Sequence, residues 1–125
     1  MSALRLLIVV TLLGLASCGS DGTVAARVDQ ALASGQPTLV EFGANSCTQC
    51  RKMSVVMAAL APRFAGRADL IQVDVGQECD LTRRFKVMVI PTLAFFDAGG
   101  QEAGRHHGFL EETKVAQILS DLGAR

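Results

Sequence analysis

Two cysteines, Cys47 and Cys50, stand with two residues between them just behind the apolar run Thr38-Leu39-Val40-Glu41-Phe42-Gly43. Thiols at that spacing can close a small disulfide ring. If the run is a strand and the cysteines open a helix, the first sulfur sits where unpaired backbone N–H groups and the helix dipole favour a thiolate. Such a thiolate attacks a disulfide to give a mixed disulfide, and the second cysteine then attacks the first and releases the reduced partner. Run backwards, the same steps oxidise a dithiol. A purely structural disulfide and half of a zinc site are the competing uses of the pair, but a second Cys-x-x-Cys to complete the zinc site is missing from the chain.

Four further positions carry chemistry. Glu41 lies inside the apolar run six residues before Cys47; a carboxyl held beneath a sheet has a raised pKa suited to a general acid or base, whereas one on a sheet edge is merely solvated. Cys79 follows the second apolar run, Asp69 to Val75, and parallel strands put their C-terminal ends on one side. It is therefore a candidate third redox thiol on the Cys47 side of the domain, with a semi-buried spectator as the alternative. His106 and His107 could complete a copper or zinc site with the cysteines, but neighbours on a strand point to opposite faces, so at most one would reach it. No metal ligand is assigned. Met53 and Met57 fall at helical core spacing.

These groups need a frame to hold them. Thr23 reads as an N-cap, with Val24, Val28, Ala31 and Leu32 on one helical face and Gly35 as the stop. Thr38 to Gly43 reads as a buried strand. A helix from Cys47 to Phe64 would bury Met53, Val56, Met57, Leu60 and Phe64, with Pro62 kinking or shortening its last turns and Gly66 ending it. Asp69 to Val75 is the next strand, and the crossover of about 25 residues before it makes the two parallel. Glu78 to Phe85 reads as a short helix. Thr92 to Phe96 and Glu102 to Phe109 form a hairpin around Asp97-Ala98-Gly99-Gly100, and Glu111 to Leu122 is a closing amphipathic helix. The order predicts an α/β sandwich with a mixed sheet.

The chain has 125 residues, half of them apolar, enough for one domain with a real core. Part of that apolar content is an N-terminal run, Leu6 to Leu15, behind Arg5, which reads as a secretory signal and is short for a transmembrane span. Leu15-Ala16-Ser17-Cys18-Gly19 then resembles the lipobox of bacterial lipoproteins. The resemblance implies cleavage after residue 17, lipidation of Cys18, a short tether over residues 18–22 and a folded domain over 23–125. It also implies attachment to the cell-envelope membrane facing the periplasm, with Gly19 favouring the outer membrane. Loss of Arg5 leaves eleven of the twelve basic residues against twelve acidic ones. Near-neutral charge without a basic block gives no support to a nucleic-acid partner.

Val40-Glu41-Phe42 before Cys47-Thr48-Gln49-Cys50, then Val89-Ile90-Pro91-Thr92 and Gly108 after the hairpin, resemble the thioredoxin family over roughly Val24 to Leu122. The resemblance implies a three-layer sandwich with a central mixed sheet of four to five strands. It implies a cis peptide at Ile90-Pro91, packed beside the disulfide, and a substrate groove completed by Gly108 and Phe109. Glu41 matches the buried acid that moves a proton to or from the second cysteine. The implied activity is thiol-disulfide exchange with protein substrates, using the Cys47–Cys50 pair and no cofactor. Ile90 before the proline is more similar to reducing members, which implies a reductant recharged by an inner-membrane thiol carrier. Ser46 departs from the usual tryptophan and Thr48-Gln49 from the usual Gly-Pro, so the reduction potential is not inherited. A copper-binding chaperone and a non-catalytic module of the same fold are the alternatives.

Overall fold

A computed structural model describes residues 22–125. The lipobox, Cys18 and the proposed cleavage point lie outside the described residues. Helix α1 (Gly22–Leu32) leads into strand β1 (Thr38–Gly43), helix α2 (Thr48–Phe64), strand β2 (Asp69–Asp74), helix α3 (Cys79–Arg84), strands β3 (Thr92–Phe96) and β4 (Glu102–His107), and helix α4 (Glu112–Asp121). The four strands are ordered β2-β1-β3-β4, with β1 parallel to β2 and antiparallel to β3, and β3 antiparallel to β4. The expected mixed sheet is present with four strands among the described residues.

Alternation along β1 decides what each face receives. Leu39, Glu41 and Gly43 share one face, while Val40 and Phe42 share the other. The first face meets α2 and α4, where Leu39, Met53, Leu60, Leu93, Phe95, Val115 and Leu119 form one core. On the second, Val40, Phe42, Ile71, Val73 and Phe96 pack against Val28 of α1 and Leu81 of α3. Phe85 stacks between Phe42 and Phe96, at 5.5 and 5.7 Å between ring centroids. Each large side chain fully removed from water contributes about 1.5–3 kcal/mol, so β1, an inner strand buried at every position as β3 is, is firmly fixed. Glu41 is the one carboxylate on it.

Several boundaries differ from the sequence reading. Among the described residues helix α1 already includes Gly22, so Thr23 lies inside it instead of capping it. Cys47 is itself the N-cap of α2, with an extended backbone, and the helix proper starts at Thr48. Pro62 neither ends nor shortens α2, which runs on to Phe64. Proline removes one backbone donor, and the carbonyl that loses it belongs to exposed Ala58, where water can replace it. Gly66, at φ +74°, turns the chain after the helix as expected. Strand β4 stops at His107, because Gly108 adopts φ +90°.

Candidate active site

Strand β1 delivers the chain to the site, and helix α2 carries it. Cys47 and Cys50 are joined by a disulfide, with Cα atoms 5.2 Å apart. The two sulfurs are not equivalent. Cys50 is buried on the inner face of α2, at 3% exposure, whereas Cys47 is half-exposed at the helix end. The backbone N–H of Cys50 donates to Cys47 Sγ at 3.2 Å, which is a side-chain cap on the helix N-terminus. A sulfur in that position is stabilised most when it is negative. The first turn of α2 holds no acidic residue, while Arg51 sits there with its guanidinium donating to the Asn45 carbonyl (2.9 Å) and the Thr48 hydroxyl (3.2 Å). Helix end, N–H donor and nearby cation all favour thiolate at Cys47.

Behind the pair lies Glu41, 3% exposed. Loss of hydration pushes its carboxyl up from 4.5 to about 7, and a hydrogen bond from Gln72 partly opposes this. Gln72 Nε2 donates to Glu41 Oε2 at 3.3 Å; the other carboxyl oxygen, Oε1, is buried without a hydrogen-bond partner. Gly43 explains how the carboxyl reaches the thiols. A Cβ at residue 43 would stand 2.6 Å from Glu41 Oε1 and 3.3 Å from Cys50 Sγ. Those two distances cap the separation of oxygen and sulfur at about 6 Å, a gap that one bridging water spans. A cavity of about 250 Å³, lined by Glu41, Gly43, Asn45, Cys50, Ser54 and Gln72 among others, surrounds this gap and has room for such waters.

The segment before β3 adjoins the end of β1, where Thr92 pairs with Phe42. The Ile90-Pro91 peptide is cis, as the resemblance implied. Pro91 is buried; its carbonyl accepts from Gly108 N–H at 2.8 Å, which seats the loop after β4 against it. Ile90 makes no backbone hydrogen bond among the described residues, so its N–H and C=O remain available to an extended partner. Met88 and Val89, at 86% and 51% exposure, add apolar surface next to it. Phe109 is held from two sides. Its N–H donates to Gln49 Oε1 at 3.3 Å, and its carbonyl lies 3.1 Å from His106 Nε2.

Cys47, Cys50 and Glu41 are thus grouped; Gly108 is bonded to Pro91 and Phe109 to Gln49 between the two cysteines, while Ile90 lines a separate hollow with Met88 and Val89. His106 and His107 are not part of a metal cluster: His106 serves Phe109, and His107 Nδ1 lies 3.1 Å from the Thr92 hydroxyl. Among the described residues no group of three or more His, Cys, Asp or Glu is placed to hold a metal ion. Cys79 opens α3, does not line the cavity beside Cys50, and is not a free thiol. Sequence reasoning missed Gln72, Gln49 and Gly43. The glycine alone gave a signal, since it sits two residues after Glu41, on the same strand face and just ahead of the cysteines.

The thioredoxin family model matches residues 22–121. A thioredoxin of Staphylococcus aureus is 33% identical over 81 residues, covering 65% of this chain and 77% of its own length. A protein disulfide-isomerase of Aspergillus niger is 33% identical over 124 residues; that stretch is 94% of this chain and 34% of the longer protein, so the chain spans about a third of it. Among solved structures, a mutant thioredoxin from Halobacterium salinarum superimposes with a TM-score of 0.69 at 23% identity, covering 76% of this chain and 81% of the other, a likeness of fold.

Proposed function

From the premise that this chain belongs to the thioredoxin family, we propose that it is a thiol-disulfide oxidoreductase acting on protein disulfides in the cell envelope, working as a reductant from a lipid anchor at Cys18. The observation that carries the activity is the inequality of the two sulfurs: a half-exposed, helix-capping Cys47 and a buried Cys50 backed by a carboxyl within about one water's reach.

In the reducing direction the Cys47 thiolate attacks one sulfur of the substrate disulfide. The S–S bond breaks, the second substrate sulfur leaves as a thiolate and takes a proton from solvent, and Cys47 is left in a mixed disulfide. Glu41, as carboxylate, accepts the Cys50 proton through the cavity. The Cys50 thiolate attacks Cys47 Sγ, which closes the intramolecular disulfide and expels the first substrate sulfur as a thiolate; this takes the second proton from solvent, and Glu41 gives up the proton it took from Cys50. Two electrons and two protons have passed to the substrate, and the oxidised domain awaits a dithiol donor. A carboxyl near 7 suits this duty, because it both loses and gains a proton around neutral pH. The Ile90 backbone and the apolar Met88-Val89 surface receive the extended substrate chain.

Support for the reducing direction is the Ile90 side chain before the cis proline. Support for the anchor is the Leu15-Ala16-Ser17-Cys18 sequence behind an apolar run. Catalysed reduction of insulin disulfides with a dithiol donor tests the activity: the protein accelerates it and Cys47→Ser does not, and an inactive parent protein would overturn the reading. Incorporation of labelled fatty acid, lost in Cys18→Ser, tests the anchor; an unlabelled parent protein would remove it.

A further inference from the structure

Glu41 has two chemically distinct oxygens in this site. Oε2 faces β2, where it receives an N–H from Gln72 at 3.3 Å. Oε1 faces Gly43 and Cys50, and it is the oxygen that is buried and without a partner. The same Gln72 nitrogen donates its other hydrogen to Ser54 Oγ at 2.9 Å, so both of its N–H groups are used. An oxygen that accepts an N–H is a poor place for an acid proton, because that proton would oppose the donor.

We propose that Gln72 is a positioning residue that selects which oxygen of Glu41 carries the proton: by donating to Oε2 it leaves Oε1, the oxygen facing Cys50 across the cavity, as the site of protonation. The inference rests on the reading of Glu41 as proton acceptor for Cys50 and adds the device that aims it. When Cys50 loses its proton, that proton arrives at Oε1, Oε2 becomes the carbonyl oxygen, and the Gln72 bond persists through the change. Ser54, on the second turn of α2, fixes the amide by accepting its other hydrogen. The register that brings the pair together is the parallel pairing of Glu41 with Gln72.

Other charged and titratable groups face this pair from each neighbouring element. Cys50 of α2 and Asp74 of β2 line the same cavity. Strand β3 places Leu93 beside Glu41 and adds no charge. Arg27 of α1 borders a separate hollow on the outer side of Gln72. None of these donates to Oε2 in the structure, so a change at Gln72 acts on Glu41 without rewiring a second partner.

A nitrobenzoate disulfide is the probe, because its two coloured thiolates leave in separate phases, the first from attack by Cys47 and the second from attack by Cys50. In Gln72→Leu the pH midpoint of the second phase rises by about one unit, and below the midpoint that phase slows about tenfold, as expected for loss of one hydrogen bond to a charged group. Gln72→Lys keeps a donor and adds a cation, so its midpoint falls below that of the parent protein. Both shifts vanish in a Glu41→Gln background. In the infrared difference spectrum, the protonated-carboxyl C=O band of Glu41 moves to higher frequency in Gln72→Leu, because Oε2 has lost its N–H. Gln72 is exposed, so both variants fold, and urea unfolding checks that they do. Unmoved midpoints, an unmoved infrared band, or shifts that persist without Glu41 overturn the proposal. If Glu41→Gln itself leaves the second phase and its pH profile unchanged, the role of Glu41 fails and this inference fails with it.

Discussion

Replacing Glu41 with glutamine removes a titrating group from the centre of β1, and the consequence for stability is set by the shift of its carboxyl from 4.5 to about 7. The unfolded chain releases the Glu41 proton near 4.5, whereas the folded domain keeps it until about 7. Between those values the folded state binds more protons, so this residue's contribution to stability is fully present below about 4.5 and is lost as pH rises through 7. At 1.36 kcal/mol per pKa unit the loss is about 3 kcal/mol. For a domain of this size that corresponds to a Tm change of roughly 10–20 °C. The assay is urea unfolding of the oxidised protein and of oxidised Glu41→Gln, each at several pH values from 4 to about 8.5. Every other titrating group is shared, so the quantity to read is how the difference between the two proteins changes with pH, which also cancels any constant cost of the buried amide. Glu41→Gln gains about 3 kcal/mol relative to the parent protein across that window. A difference that stays constant within about 0.5 kcal/mol would refute the burial argument and, with it, the assignment of Glu41 as a neutral-pH acid or base.

Gly43→Ala brings a Cβ against Glu41 Oε1 and, at 3.2 Å, against the Cys50 Cβ; it costs about 1–3 kcal/mol in urea unfolding and slows the Cys50 step, and a neutral substitution would mean that the carboxyl can move away freely. Gly108→Ala must hold a side chain at φ +90° on the loop seated against Pro91, at a cost of about 1–2 kcal/mol in the same assay; an unchanged midpoint contradicts it. Met88→Asp introduces a charge on the apolar surface beside the cis bond and raises KM for a protein disulfide about tenfold, more than it lowers kcat; a pure kcat effect would place Met88 outside the docking surface.

How much of this was visible in the sequence depended on how local the determining contacts were. The β1 strand, the cysteine pair and the cis proline are written in short runs, and β1 and β3 match their expected bounds. Burial of Glu41 was one of two readings open in the sequence, and the inner place of β1 in the sheet decides it: between Val40 and Phe42 on a strand buried at every position the carboxylate has nowhere to hydrate. The partners of that carboxylate were not legible. Gln72 meets Glu41 across a parallel pair separated by 31 residues of sequence, and parallel register is set by helix packing that no short motif encodes. The bond from Phe109 to Gln49, 60 residues away, is hidden for the same reason. Thr23 misled because a threonine tolerated inside a helix looks like one that caps it, and Pro62 does not shorten α2 because an exposed carbonyl can hand its lost hydrogen bond to water.

In the proposed mechanism Cys47 is the attacking sulfur and Cys50 the resolving one. The most direct measurement is covalent capture of envelope proteins by the two single-serine variants, resolved on non-reducing gels. Cys50→Ser should accumulate mixed disulfides through Cys47 that a reductant dissolves, while Cys47→Ser should accumulate few, because the remaining sulfur is buried. Equal capture by the two variants, or capture by neither, would contradict the division of labour between the two sulfurs.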